Sequence, residues 1–208
     1  MSENVKTMDR RQARTRRALQ QALLDLIEQK PWPEITVEDL TEAADIARPT
    51  FYAHFPDKAA LLEDATQQLL GELSERVLAA SPRNEPVYRG AGVAEIFRHA
   101  DEHRALYRLL TGAEGSGRPR TALVTVLRGL AASVFEPLAE SLGGTPPLPM
   151  HEITAAFTGA GVAVLHDWLR GEIEGAPEDV AVRFMRGQIG GIEWMLGLGP
   201  GTFRFEPA

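Results

Sequence analysis

A chain of 208 residues, 44% of them hydrophobic, can bury a real core and is long enough for a small domain beside a larger one. The absence of cysteine excludes disulfides, thiolate chemistry and Cys-based zinc fingers. No apolar run approaches the ~20 residues that cross a bilayer, and no hydrophobic segment follows the basic N-terminus as a secretory signal requires, so a cytoplasmic protein with no membrane partner is expected.

The net charge of −7 argues against a nucleic-acid partner only if charge is spread evenly. It is not. Residues 1–20 hold Lys6, Arg10, Arg11, Arg14, Arg16 and Arg17 against Glu3 and Asp9, a local balance of +4. Residues 1–58 hold nine Lys/Arg and ten Asp/Glu, so the acidic groups are expected on faces turned away from DNA. Alone, the basic run reads as a solvated tail, and residues 1–13 are expected to form a flexible basic arm. Behind it, RTRRALQQALLDLIEQKPWPEIT carries Ala18/Leu19, Ala22/Leu23 and Leu26/Ile27, the stripe of a helix with one packing face.

Thr36 can accept from the N–H groups of a helix starting at Val37, with Glu38 and Asp39 placing negative charge in its first turn. Val37, Leu40 and Ala43/Ala44 then fall at helical spacing. A turn at Asp45-Ile46-Ala47 separates this helix from a second, Arg48 to His54, with Pro49 in its first turn, where a missing N–H costs little. Phe51 and Phe55 are core candidates. Arg48, Thr50, Tyr52 and His54 face outward and carry donors and acceptors of the kind that read a DNA groove. Pro56-Asp57-Lys58 breaks the helix and starts another, whose free N–H groups and Lys58 together suit a phosphate.

The run TVEDLTEAADIARPTFYAHFPDKAALL, with the helix before it, resembles the TetR family of one-component transcriptional regulators. About the first 60 residues carry the motif; the remainder is similar to the family only in length and helical pattern. The resemblance implies that Arg48, Pro49 and Thr50 meet base edges or the adjoining backbone. It implies further that Thr36, Tyr52, His54 and Lys58 hold phosphates and that Arg14 and its neighbours lie near the backbone or minor groove. Two turn positions depart from the family. Asp45 stands where Gly is most frequent, and Asp tolerates the left-handed backbone better than most residues. Ala47 stands where a capping Ser or Thr is common, so a cap worth about 0.5–2 kcal/mol is expected to be missing.

From Ala59 the helical pattern continues through Leu61, Leu62, Ala65, Leu69, Leu73 and Val77 until Ser81-Pro82 stops it. Gly- and Pro-rich breaks at 81–92, 111–119, 143–149 and 171–177 leave helices near Val93–Leu110, Pro119–Leu142, Met150–Arg170 and Pro177–Leu198. Pro137 marks a possible kink, strand signals are absent, and the tail from Gly199 reads as loose, with Phe203 and Phe205 available to pack. The expected fold is all-α. Residues 14–62 form an N-terminal three-helix helix-turn-helix domain, joined by a long helix to a helical bundle for ligand binding and dimerisation over 63–208.

Small residues run through the last two helices: Ala155, Ala156, Gly159, Ala160, Gly161 and Ala163 in one, Ala181, Gly187, Gly190 and Gly191 in the other. Mid-helix Gly costs ~1 kcal/mol against Ala, which close helix packing can offset. Intrachain packing would explain the run. An isologous four-helix interface between two copies, built on Gly159, Ala163, Gly187, Gly190, Gly191 and Trp194, is the preferred reading, because it supplies the two-fold symmetry of a palindromic operator.

Among the body's aromatics, most are core; Phe97, Tyr107, Phe157 and Trp168, with His103 as a polar neighbour, are the candidates for lining a ligand cavity. His99 and His103 stand at i, i+4, a metal-presenting spacing. HADEH lacks the glutamate position of HExxH, and two His on a charged helix face are more often solvated, so no metal or other cofactor is expected. No G-x-S-x-G, P-loop, dinucleotide-binding glycine pattern or Cys nucleophile is present, which disfavours an enzyme. The reading is a homodimeric repressor that binds a palindromic site in double-stranded DNA and is released by a small apolar or amphipathic effector. The alternative is a helical dimerisation or adaptor protein without ligand control.

Overall fold

The computed structural model describes residues 2–81, 87–88, 90–112, 117–202 and 204–205, with residues 2–10, 87–88 and 204–205 described by backbone only. In chain order they form α1 (Ser2–Gln29), a 3-10 turn at Trp32–Glu34, α2 (Val37–Ala43), α3 (Arg48–His54), α4 (Lys58–Ala80), β1 (Val87–Tyr88) and α5 (Ala91–Glu102). Then follow α6 (Arg104–Thr111), α7 (Arg118–Ser141), α8 (Met150–Leu169), α9 (Pro177–Met195) and β2 (Arg204–Phe205). The chain divides into two compact units, Met1–Gln68 and Leu69–Ala208, and the division falls inside α4.

In the first unit, α2 packs on α1 and on α3. Leu19, Leu23, Leu40, Phe51 and Leu61 are wholly buried and Phe55 nearly so; each such side chain contributes about 1.5–3 kcal/mol of burial. Helix α2 starts where a capping box forms. The Thr36 hydroxyl accepts from the Asp39 N–H at 3.1 Å, and the Asp39 carboxylate accepts from the Thr36 N–H at 2.7 Å. Asp45 ends the helix-turn at φ 52°, the left-handed conformation its sequence position calls for. Ala47 gives α3 no side-chain cap, and Pro49 occupies its first turn.

The second unit packs α7 against α8, α5 against α9 and α6 against α8. Its core includes Phe97, Leu106, Tyr107, Phe135, Ile153, Trp168, Met185 and Ile192.

Four expectations need correction. Helix α1 reaches back to Ser2, so the backbone of residues 2–13 continues the first helix rather than forming a separate arm. The helix expected over Val93–Leu110 is two helices, broken at His103, whose φ of −125° and ψ of 38° are not helical. Two short strands exist, β1 and β2, paired in parallel with Tyr88 opposite Phe205; two residues are too few for a period-2 signal. Phe203 lies outside the described residues. Finally, α7 is by length and composition apolar enough to cross a bilayer. Its outward positions, among them Thr125, Arg128, Ser133, Glu136 and Glu140, are polar while Leu123, Leu127 and Phe135 point inward, the pattern of a helix on the surface of a globular body.

Candidate nucleic-acid interface and effector cavity

The fold holds α3 by its inner face. Phe51 is fully buried, and its ring stands 6.0 Å from Phe55. That anchoring turns Arg48, Pro49, Tyr52 and Ala53 to solvent, with Thr50 and His54 half-buried. Tyr52 is 48% exposed, with one ring edge against Phe51 at 5.5 Å between centroids. The Arg48 guanidinium lies 5.9 Å from the Tyr52 ring, so the two long side chains form one outward-facing group. Five of the eight residues proposed to meet DNA therefore share the short helix α3 and are accessible on it. Arg14 is exposed on α1.

Two of the eight already have partners within the chain. The ammonium of Lys58 donates to the carbonyls of Trp32, Pro33 and Ile35 at 3.0, 3.1 and 2.5 Å and lies 4.6 Å from the Trp32 ring centroid. All three of its hydrogens are used, and burial lowers its pKa from the usual lysine value. Lys58 ties the start of α4 to the 3-10 turn, a structural role beside the phosphate contact expected of it. The carboxylate of Asp57 accepts from the Ala60 N–H at 2.8 Å, which places negative charge where an incoming phosphate was expected. Thr36 directs both its hydroxyl hydrogen and its N–H at Asp39, each at 2.7 Å. Lys30 completes this group with a 2.7 Å bridge to the same carboxylate, and Lys30 first, then Thr36, holds the Asp39 carboxyl well below the usual range. Arg16, in the basic run, is paired with Asp64, and its guanidinium sits 5.2 Å from the Phe55 ring. The side chains of Lys6 and Arg10 lie outside the described residues.

In the second unit α5, α7, α8 and α9 line a partly open apolar cavity of about 40 Å³. Phe97 and Phe157 line it together with Val93, Leu127, Gly161 and Phe184. The other three candidates lie elsewhere. Tyr107 is fully buried, with its hydroxyl 3.0 Å from His99 Nδ1. Trp168 donates to the Gly175 carbonyl at 2.9 Å and packs edge-on behind Phe97. His103 stands at the α5–α6 break.

Sequence reasoning missed Thr158. It is the polar side chain on the cavity wall, 4% exposed, and its hydroxyl has no hydrogen-bond partner among the described residues. The i, i+4 inward row Thr154, Thr158, Val162 in α8 carries its signal. An orphaned hydroxyl in an apolar wall costs about 1–3 kcal/mol, which a ligand acceptor or donor would recover. Room for about 40 Å³ admits a few water-sized groups, so a larger effector must spread the helices.

The small residues of α8 and α9 sort into two faces. Gly161 and Ala181 face inward, and a Cβ on Gly161 would touch Phe184 at 3.5 Å. Gly159, Gly187, Gly190 and Gly191 have nothing within 4 Å of a built Cβ, Ala163 is exposed, and Trp194 is 61% exposed. Intrachain packing therefore does not explain the outer glycines.

A helix-turn-helix with a polar, accessible second helix on a helical body defines a DNA-binding transcriptional regulator. Residues 20–65 match the family described as bacterial regulatory proteins, tetR family. The chain is similar to YxbF of Bacillus subtilis, described as an uncharacterized HTH-type transcriptional regulator, at 40% identity over 84 residues. That match is 40% of this chain and 22% of YxbF. It is 28% identical over 165 residues to the HTH-type regulator EthR of Mycobacterium tuberculosis, spanning 74% of this chain and 75% of EthR. A TetR-family regulator from Streptomyces coelicolor shares the fold at TM-score 0.63 and 22% identity, over 88% of this chain and 81% of that one. The chain carries the DNA-binding region of TetR-family regulators over residues 20–65 and is similar over most of its length to transcriptional regulators of that type.

Proposed function

We propose that this regulator acts as a homodimeric repressor on a palindromic operator and that a small, mainly apolar effector entering the cavity of the second unit releases it. The observation that carries the proposal is the pairing of an apolar cavity that holds one unsatisfied hydroxyl, Thr158, with a bare Gly/Ala face on α8 and α9. Two copies joined through that face would present two α3 helices related by a two-fold axis, which a palindrome matches. Helix α4 is shared by both units, so it is the covalent route by which effector binding would reach the reading helix. Arg48, Pro49, Thr50, Tyr52 and His54 would read or grip the operator, with Arg14 on the backbone.

An effector must bind the released form more tightly than the DNA-bound form, because equal affinity shifts nothing. The test is a screen of apolar and amphipathic compounds by calorimetry, followed by operator titrations. A true effector lowers operator affinity by about 5–150-fold, and operator DNA weakens that compound's binding by the same factor. Ala156 is exposed on α8 and is no cavity position, whereas Gly161→Val fills the cavity and should blunt the response. Tight binders that leave operator affinity unchanged would reduce the second unit to a dimerisation platform.

A further inference from the structure

Away from the cavity, α4 and α5 bring together three metal-ligating side chains: Glu72, His99 and His103, whose donor atoms all lie within 4.8 Å of one another. The sequence shows the two His but cannot show Glu72, which arrives from another helix. Nor is this a solvated helix face. His99 is 0% exposed, its Nδ1 is 3.0 Å from the Tyr107 hydroxyl, and its Nε2 has no hydrogen-bond partner among the described residues. The helix break at His103 leaves that ring 4.7 Å from the His99 ring.

A buried imidazole nitrogen without a partner costs about as much as a lost hydrogen bond, and the fold keeps one at a point where a second imidazole and a carboxylate converge. The arrangement around His99 is that of a metal ligand. When Nδ1–H donates to the Tyr107 oxygen, Nε2 presents its lone pair, and the outer hydrogen bond fixes both tautomer and ring orientation. Burial first, with His103 and Arg76 behind it, lowers the His99 pKa to about 4, so the ring is neutral near pH 7, as coordination requires. Burial also raises the Tyr107 pKa above its ordinary value, keeping the phenol protonated. The neighbouring cation, Arg76, is bridged to Glu102 at 2.8 Å, which offsets its repulsion of an incoming ion.

We propose that Glu72, His99 and His103 form a binding site for a zinc-like divalent transition metal, with the remaining coordination position open to water or an exogenous donor. Two imidazoles and a carboxylate suit zinc and its first-row neighbours. Bonds of about 2.0–2.1 Å in tetrahedral geometry bring ligand atoms to about 3.4 Å from one another. Rotamer changes in exposed Glu72 and half-buried His103 reach that spacing around a fixed His99. This site is distinct from the apolar cavity and does not depend on the effector reading.

The experiment is calorimetric titration of the untagged full chain, stripped with chelator, using Zn²⁺ alone. We expect one ion per chain, with His103→Ala and Glu72→Ala each weakening binding by about tenfold or more, and the exposed Glu75→Ala leaving it unchanged. Co²⁺ should give a visible absorption band that His103→Ala abolishes. His99→Gln removes a fully buried ring and so perturbs folding together with binding; the two accessible ligands carry the test, with circular dichroism confirming the fold of their variants. Zinc uptake of equal affinity in wild type, His103→Ala and Glu72→Ala would overturn the site, as would no saturable uptake by the wild type.

Discussion

Removing the Lys58 ammonium distinguishes a structural tether from a phosphate ligand. Lys58→Met keeps the apolar stem beside Trp32 and deletes three charge-assisted hydrogen bonds, to the carbonyls of Trp32, Pro33 and Ile35. Such bonds contribute about 1.5–3 kcal/mol each when isolated from solvent. Lys58 is only half-buried, so water replaces part of what is lost. The Ile35 residue is 1% exposed, and its carbonyl is the least able to find water. A net loss of about 2–4 kcal/mol follows, and at about 2–4 °C per kcal/mol for a chain of this size the melting temperature should fall by on the order of 10 °C. Thermal unfolding by circular dichroism measures it. Operator affinity of the folded protein, measured between 50 and 200 mM salt, should keep its wild-type slope. A phosphate contact predicts the reverse: an unchanged melting temperature and a salt slope reduced by ~1. That result would refute the tether.

Arg48→Ala removes an exposed side chain and should change stability by less than about 0.5 kcal/mol, while costing about 1–3 kcal/mol on the specific operator and little on random DNA; equal losses on both would remove its base-reading role. Gly190→Leu adds its side chain into open space in the single chain, so the fold should survive while sedimentation shifts from dimer to monomer, and an unchanged dimer would put the interface elsewhere. Asp39 has a folded pKa held below its unfolded value of about 3.9, so its stabilisation is complete above that pH and is lost as pH falls through the folded value. Asp39→Asn should therefore flatten the stability curve below about pH 4 relative to wild type, read from melting temperatures between pH 2.5 and 5.

The helix-turn-helix was legible because its signals are local: Thr36 and Asp39 cap α2 within one turn, Pro49 starts α3, and Phe51 and Phe55 face in by simple periodicity. What the residues at that site do was less legible. Lys58 is exposed by pattern, and only the folded chain brings three carbonyls from 23 to 26 residues away to its ammonium. The break at His103 has no Gly or Pro to announce it. Outward and inward glycines on α8 and α9 look alike in sequence, because periodicity gives a stripe and only packing says which neighbour covers it. Phe97 and Phe157 line the cavity, but Tyr107 and Trp168 are equally aromatic and equally buried. Composition does not separate a wall from the core behind it.

The most direct test of the account is selection of genomic DNA fragments by the purified full chain, followed by footprinting of the strongest. One inverted repeat is expected, with half-sites one helical turn or a multiple apart, protected by a dimer and lost with Arg48→Ala. Binding to all fragments alike, with no shared repeat and no dependence on Arg48, would contradict it.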